Sequence, residues 1–390
     1  MTDFNPPKRP TVSLAVAREL LLVQMRELHS GVVDPRLVAP LMLWGPPGIG
    51  KSDLIRTLCE EHGWGFVDVR LAQRDPVDLR GLPVPSGDTV RWLPSSEWPR
   101  DATSRGILLF DELTAADRTL QVAAYEILLD RRLGDTYSVP RGWLVCGAGN
   151  RAEDASVSVP MSAALANRFL HLDLGADLAA WTAWARTNGV RDDVIAFLRA
   201  RPALLLDMAR SDLQRGWPSP RSWARVSSFL EASADLSRAA ERAGLAGLVG
   251  EGAAVELMAF REATRGLPDL DDVVRGVTRI DPLPTAPDQL YALVTGLARV
   301  VWAADDRDRA IGILLHLGAE LDADFAATLV ADTLTLAPAG AAAAVVEHPA
   351  MTRLRDRHGA VFLDRTAPSP ALPEHGFQST RRRRRQVPAS

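Results

Sequence analysis

The feature of this chain that most constrains its fold is a glycine-rich turn between a short apolar run and a helical segment. The run "PLMLW" precedes "GPPGIGKS" (45–52), and the apolar residues of "SDLIRTLCEEH" then recur at helical spacing. The turn fits the spacing G-x-x-x-x-G-K-[ST]. An apolar strand that enters such a turn, followed by a helix, predicts the first unit of a parallel α/β sheet.

This turn is a candidate phosphate-binding site. Backbone N–H groups from about Gly48 to Ser52 would point inward, and the following helix would add the positive end of its dipole. The Lys51 ammonium would reach the β- and γ-phosphates of ATP, and the Ser52 hydroxyl would sit on Mg²⁺. The alternative is a chance glycine-rich turn. The predicted contact residues are consecutive: Gly45, Pro46, Pro47, Gly48, Ile49, Gly50, Lys51, Ser52 and Asp53.

The use of lysine supports phosphate binding over a chance match. Lys8 and Lys51 are the two lysines among 45 basic residues, and the others are arginines. The planar guanidinium suits carboxylates and surface pairs, whereas a cradle of backbone amides needs a compact charge on a thin stem. A lysine at position 51 meets that need.

Two more apolar segments end in polar residues. "GILLFDEL" ends in Asp111 and Glu112, and "GWLVCGAGN" ends in Asn150. The carboxyl ends of parallel strands face the crevice where ligands bind. There Asp111 would hold Mg²⁺ through its water shell, Glu112 would orient and polarise the attacking water, and Asn150 would lie beside Glu112. The alternatives are a helix N-cap for the acidic pair and a common loop residue for Asn150.

Strand and helix signals divide the chain. Strands alternate with helices to about residue 175, a hairpin is predicted around "PSGDT", and "DRTLQVAAYEILLDRRL" is predicted to be one helix. Later segments are helical. The predicted organisation is a flexible N-terminus (1–10), an α/β nucleotide-binding domain (11–175), a helical lid (176–265), a C-terminal helical extension (266–366) and a disordered Arg-rich tail (367–390).

In this order the motifs resemble those of the AAA+ ATPases, and their details are similar to the MoxR branch with its CbbQ-like and dynein-related neighbours. The resemblance covers about residues 15–230. "GPPGIGKS" resembles Walker A, "LLFDEL" Walker B and "GAGN" sensor 1. "PMSAALANRF" is similar to the arginine-finger segment, "WPSPRSW" to sensor 2, and "DPVDLRGLPV" through "VRWLP" to this branch's insert. The resemblance implies a P-loop core with a parallel sheet flanked by helices, followed by an all-helical lid and a C-terminal helical region.

The resemblance also implies roles. Asn150 becomes the sensor residue, Arg221 reaches the nucleotide of its own chain, and Arg168 reaches the nucleotide of a neighbouring subunit. Each arginine has a surface salt bridge as its alternative role, and Arg151 stays an alternative finger. Arg118, Arg131 and Arg132 also lie near the predicted subunit edge. The implied protein is a Mg²⁺-dependent ATPase that forms a ring, taken to be a hexamer. It would act as a chaperone-like remodelling factor on a protein client, with a von Willebrand factor A domain partner.

Composition narrows the classes of partner. The net charge of −4 gives no reason to expect nucleic acid as the main partner. The run Arg381–Arg385 is interpreted as a solvated flexible tail, with binding to nucleic acid or to an acidic surface as the alternative. No apolar run is long enough for a bilayer, no secretory leader is visible, and Cys59 and Cys146 read as buried free thiols, so a cytoplasmic protein is expected. A nucleic-acid motor and a nucleotide-dependent switch remain the alternatives. Net acidity argues against the first and Glu112 against the second.

Overall fold

The structure is a computed structural model that describes residues 10–151, 154, 159–208 and 213–365. Most of the predicted flexible N-terminus and the whole run Arg381–Arg385 lie outside these residues. The chain clusters into two compact units. One contains the described residues up to Gly266 together with Ala286–Ala292, and the other contains Leu267–Thr285 and the described residues from Leu293 onward. The predicted domain boundaries stay predictions.

The strands of the described residues form one larger sheet and two small ribbons. They are β1 (Leu41–Trp44), β2 (Gly65–Arg70), β3 (Leu82–Ser86), β4 (Thr89–Leu93), β5 (Arg105–Asp111), β6 (Arg132–Leu133), β7 (Tyr137–Ser138), β8 (Gly142–Gly149) and β9 (Leu170–Asp173). The larger sheet is five-stranded, in the order β2-β5-β8-β1-β9, and its strands are parallel. β8 therefore lies between the two motif-bearing strands, as the placement of Asn150 required.

Helices cover both faces of this sheet, and the regular structure described after Asp173 is helical. They are α1 (Leu14–His29), α2 (Lys51–His62), α3 (Pro76–Arg80), α4 (Arg118–Asp130), α5 (Ala163–Ala166), α6 (Leu178–Thr187), α7 (Asp192–Ala200), α8 (Pro220–Ala232), α9 (Arg238–Val249), α10 (Glu251–Thr264), α11 (Leu270–Val274), α12 (Pro287–Ala303), α13 (Arg307–Glu320), α14 (Ala323–Thr335), α15 (Ala342–Val346) and α16 (Ala350–Arg365). The predicted parallel sheet flanked by helices, followed by a helical region, is confirmed. No helix of the described residues is both long and apolar enough to span a bilayer.

Each face of the sheet has its own apolar core. Successive residues of a strand point to opposite faces, so Met42 and Phe110 belong to one core while Leu43 and Leu109 belong to the other. The first core includes α4 residues, and the second includes α1 and α2 residues and Cys59. Both cysteines are buried free thiols, as predicted. Because both faces are covered, the three inner strands β1, β5 and β8 are apolar along most of their length, as in other parallel sheets.

The helix predicted to run through Leu133 ends earlier, at Asp130. Arg131 has a left-handed backbone (φ 56°), and its guanidinium donates to the carbonyls of Pro140 and Trp143, at 2.9 and 2.7 Å. The side chain is buried, and burial lowers the pKa of Arg131 to about 10. The charge of Arg131 is therefore enclosed by carbonyls of its own chain, which disfavours a contact of its guanidinium with a neighbouring subunit, and its place near a subunit edge stays a prediction.

The predicted hairpin is confirmed as the antiparallel pair β3–β4, with Leu82 opposite Leu93 and Ser86 opposite Thr89. Every residue of both strands is exposed. Gly81 at its base has φ 94°, and a Cβ there would lie 2.2 Å from the Leu93 carbonyl oxygen. The hairpin therefore stands away from both cores of the sheet.

The amino ends of three neighbouring strands meet at one tryptophan. Gly65 is opposite Gly106, and Gly106 is opposite Trp143. A Cβ on Gly65 would lie 2.6 Å from the Trp143 ring, and a Cβ on Gly106 would lie 2.7 Å from it. The indole therefore lies across two strands whose residues at this level must be glycine.

Candidate nucleotide-binding site

The glycine-rich turn joins β1 to α2, which begins at Lys51. Gly48 and Gly50 have φ values of 79° and 103°, a backbone conformation that glycine adopts without steric cost. A Cβ on Gly48 would also lie 3.1 Å from the Ser219 hydroxyl oxygen. The turn thus needs glycine at these positions for its conformation and for the close approach of the segment before α8.

Lys51 is the centre of the site. Its ammonium donates to the carbonyl oxygens of Gly45 (2.7 Å) and Pro46 (3.1 Å) and to Asn150 Oδ1 (3.1 Å). The residue is only 8% exposed. One buried cation therefore joins the glycine-rich turn to the carboxyl end of β8.

Burial lowers the pKa of Lys51 to about 8, since the ammonium loses solvation. The carboxylates of Asp111 and Asp154 oppose this shift, and the cations Arg221 and Arg151 add to it. Two arginines and two carboxylates thus share the electrostatic field around one ammonium. A polyanionic ligand would be favoured there, because it would compensate three cations at once.

The Ser52 hydroxyl donates a short hydrogen bond to Asp111 Oδ2, while Asp111 Oδ1 accepts the Glu112 backbone N–H at 2.8 Å. This hydroxyl and this carboxylate are hard oxygen ligands of the kind that Mg²⁺ takes alongside nucleotide phosphates. No group of three or more His, Cys, Asp or Glu in the described residues could hold a metal unaided. The residues present fit Mg²⁺ whose coordination is completed by phosphate and water.

Glu112 has an unusual backbone. Its φ is 56°, in the left-handed region that a non-glycine residue occupies at a cost of about 1 kcal/mol. Its carbonyl accepts the N–H groups of Ala115 and Ala116, at 2.9 and 3.2 Å. The chain therefore turns sharply at the end of β5, and the half-buried Glu112 is held at that corner next to Asp111.

Thr114 is a site residue that sequence reasoning missed. It is 2% exposed, and its hydroxyl donates to the Asn150 carbonyl at 3.2 Å. A Cβ on Gly149 would lie 2.8 Å from that hydroxyl oxygen. Thr114 thus supports the backbone of Asn150. The signal available in sequence was its place two residues after Glu112, in "DELT".

The three candidate arginines have different surroundings. The Arg221 backbone N–H donates to the Gly48 carbonyl at 3.2 Å, at the start of α8, so this residue lies at the turn. Arg151 Nε lies 3.2 Å from Asp154 Oδ2, and both residues belong to the field around Lys51. Arg168 follows α5 and its side chain is exposed. The structure thus brings Arg221 and Arg151 to the site of their own chain and presents Arg168 at the surface.

Comparison with known proteins gives curated sequence relatives over part of the chain and weak structural likenesses. No protein-family model matches the chain. Midasin of Giardia intestinalis is 28% identical over 144 residues, which make up 35% of this chain and 3% of midasin. The chain therefore corresponds to a small part of that relative's length.

Solved structures similar to this chain include two bacterial proteins. RuvB of Thermotoga maritima, described as a Holliday junction branch migration motor, has 17% identity and a TM-score of 0.37 over 79% of this chain and 88% of that one. NtrX of Brucella abortus in complex with ADP has 16% identity and a TM-score of 0.33 over 89% of this chain and 71% of that one. These TM-scores are too low to define a fold, which rests on the strand order and register above.

Proposed function

We propose that this chain is an ATP-hydrolysing AAA+ ring motor of the MoxR type. The observation that carries the proposal is the convergence of Lys51, the Ser52–Asp111 pair and Asn150 at the carboxyl edge of the sheet. Lys51 and Ser52 begin the helix that follows β1, Asp111 ends β5 and Asn150 follows β8. Direct hydrogen bonds join Lys51 to Asn150 and Ser52 to Asp111. Their order along the chain and their residue types are those that phosphoryl transfer from a nucleotide needs.

Binding would use the glycine-rich turn. Its backbone N–H groups and the Lys51 ammonium would hold the phosphates, and Arg221 would add a second cation at the turn. Ser52 and Asp111 would hold Mg²⁺. When bound, Mg²⁺ would neutralise charge on the β- and γ-phosphate oxygens. On binding, the Lys51 ammonium would exchange its contacts with the carbonyls of Gly45 and Pro46 for contacts with phosphate oxygens.

Hydrolysis would use Glu112 and Asn150. Glu112 would orient and polarise the water that attacks the γ-phosphorus, with its position fixed by the sharp turn at the end of β5. Asn150 would hold the same water or the γ-phosphate by hydrogen bonds, with its backbone supported by Thr114. Arg168, exposed on its own subunit, would neutralise the charge that develops at the neighbour's γ-phosphate.

A protein client is favoured by the β3–β4 hairpin. Val90 and Trp92 are 59% and 40% exposed and share one face of this hairpin with Pro83 and Pro85, and all ten residues of its strands are exposed. Contiguous exposed apolar side chains favour protein contacts, and the net charge of −4 disfavours a polyanion. The proposed motor acts on a protein client in the cytoplasm, together with a partner that carries a von Willebrand factor A domain.

The class of client is tested by ATPase assays with and without DNA or RNA. We expect the ATPase rate to change by less than about twofold with nucleic acid, because the acidic chain repels phosphates outside the nucleotide site. Strong, salt-dependent stimulation by DNA would instead support the nucleic-acid motor. Capture of client with the Glu112→Gln variant in ATP, compared with the same variant in ADP, would identify the protein partner.

The trans role of Arg168 is tested by mixing defective subunits. An Arg168→Ala subunit keeps its nucleotide site and loses the arginine finger. A Lys51→Ala subunit keeps Arg168 and loses its nucleotide site. In an equal mixture about a quarter of the interfaces pair an intact nucleotide site with an intact arginine, so ATPase activity should reappear. Arg151→Ala mixed with Lys51→Ala is the matched control, and we expect no recovery because Arg151 lies at its own chain's site. If activity recovers in the mixture with Arg151→Ala and not in the mixture with Arg168→Ala, Arg151 is the finger.

A further inference from the structure

His171 lies between the end of β1 and the turn that carries Arg168. The indole N–H of Trp44 donates to His171 Nδ1 at 2.8 Å. His171 Nε2 lies 2.7 Å from the carbonyl oxygen of Ala166. One imidazole on β9 thus connects the last residue of β1 to the last residue of α5.

The partners of this imidazole assign its tautomer. An indole N–H can only donate, so His171 Nδ1 accepts. A carbonyl oxygen can only accept, so His171 Nε2 carries the proton. These two hydrogen bonds define one tautomer of the ring, with the proton at Nε2.

The turn that presents Arg168 runs from Ala166 to Phe169. The Phe169 N–H donates to the Ala166 carbonyl at 3.3 Å, and the Arg168 N–H donates to the Leu165 carbonyl at 3.0 Å. Asn167 and Arg168, at the middle of the turn, are exposed. The Ala166 carbonyl therefore closes the turn and also accepts from His171. The shorter of its two hydrogen bonds is the one that comes from His171.

The other end of this connection is the phosphate-binding turn. Trp44 directly precedes Gly45, whose carbonyl accepts from Lys51 at 2.7 Å. The Trp44 carbonyl accepts the Leu174 N–H at 2.7 Å, which ties the same point to the end of β9. Trp44 is thus held by its backbone at the base of the glycine-rich turn and by its side chain to His171.

We propose that His171 is a positioning residue, which holds the Arg168 turn at a defined place relative to the phosphate-binding turn. The inference rests on the proposed action of Arg168 on the neighbour's nucleotide. His171 does not touch the nucleotide. It restricts the Ala166–Phe169 turn, so that Arg168 reaches the neighbouring site in one orientation. Loss of this restraint lowers the rate of hydrolysis more than the affinity for ATP.

Two conservative variants separate the two hydrogen bonds. In His171→Asn the amide oxygen lies near the Nδ1 position, so Trp44 keeps an acceptor and Ala166 loses its donor. In His171→Gln the amide reaches the Nε2 position, so Ala166 keeps a donor. Because one hydrogen bond is lost, we expect His171→Asn to lower kcat for ATP about fivefold to tenfold, with KM within about twofold. His171→Gln should keep at least about half of the wild-type kcat.

Mixed rings give a readout that a purely structural role would not move. His171→Asn subunits mixed with Lys51→Ala subunits should recover ATPase activity, because the Lys51→Ala subunits still carry an intact His171 and Arg168 turn. An unchanged kcat in His171→Asn overturns the proposal, as does an equal loss in His171→Gln or no recovery in mixed rings. If His171→Asn does not fold, His171→Phe replaces it, because phenylalanine keeps a planar ring and removes the donor to Ala166, and an unchanged kcat there has the same meaning.

Arg168→Ala, measured in parallel, keeps this test distinct from that of the proposed function. If Arg168→Ala retains the wild-type kcat, the trans role of Arg168 fails and the positioning role of His171 fails with it. If Arg168→Ala is inactive and His171→Asn is not impaired, the inference on His171 alone is overturned. Absence of ATPase activity in the wild-type chain would contradict the proposed function itself.

Discussion

Replacement of Lys51 by alanine is expected to weaken ATP binding by at least about 100-fold, because charge-assisted hydrogen bonds to phosphate are lost. The structure places this ammonium in contact with both the turn, at Gly45 and Pro46, and the end of β8, at Asn150. Its removal thus takes away a phosphate ligand and a side-chain link between these two parts of the site. Titration with a fluorescent ATP analogue measures the change.

The control for this variant is the other lysine of the chain. Lys8→Ala removes the same side chain from a position outside the glycine-rich turn, and ATP affinity should stay within about twofold of the wild-type value. Thermal unfolding of Lys51→Ala should remain cooperative, since burial already disfavours the charged form of Lys51. A folded Lys51→Ala protein with wild-type affinity would contradict the assignment of the phosphate site.

Replacement of Glu112 by glutamine is expected to lower kcat by about 100-fold to 10,000-fold while ATP still binds, because the carboxylate that polarises water is lost. The substitution keeps side-chain length and leaves the Glu112 N–H to Asp111 bond unaffected, since that bond is made by the backbone. Single-turnover hydrolysis and an equilibrium ATP titration together separate the two effects.

Glu60→Gln, on the exposed face of α2, is the matched control and should leave kcat unchanged. If Glu112→Gln turns over ATP rapidly, Glu112 is not the residue that activates water. If it neither binds nor hydrolyses ATP, the left-handed backbone at this corner depends on the glutamate, and the variant reports folding of the site rather than chemistry.

The local parts of this site could be predicted from sequence because each depends on a few consecutive residues. The glycine-rich turn needs the spacing of Gly45 and Gly50, and the strands are recognisable as apolar runs with polar ends. The hairpin at 82–93 was marked by its turn residues. The placement of β8 between β1 and β5 was predicted for Asn150, whereas the contact of Asn150 with Lys51 was not.

The remaining parts could not be predicted, because they depend on residues far apart in the chain. Ser219 packs against Gly48, Trp44 donates to His171, and Arg131 is enclosed by carbonyls that the local helical pattern does not reveal. The left-handed backbone of Glu112 likewise belongs to the turn after β5, where the next residue, Leu113, donates its N–H to the Ala148 carbonyl of β8. In each case tertiary contacts override or extend the local preference.

The indole of Trp143 connects the geometry of the site to the opposite edge of the sheet. A slip of β5 by one residue would move it by about 3.3 Å and place a side chain where only Gly106 fits against the ring. Because Gly106 and Asp111 lie near opposite ends of the same strand, the alignment set at the first residue determines the level of the second. Packing at Trp143, at the amino end of β5, thus determines the position of Asp111 at the carboxyl end of the same strand. A substitution at Gly106 could misplace Asp111 while every residue of the pocket stays the same.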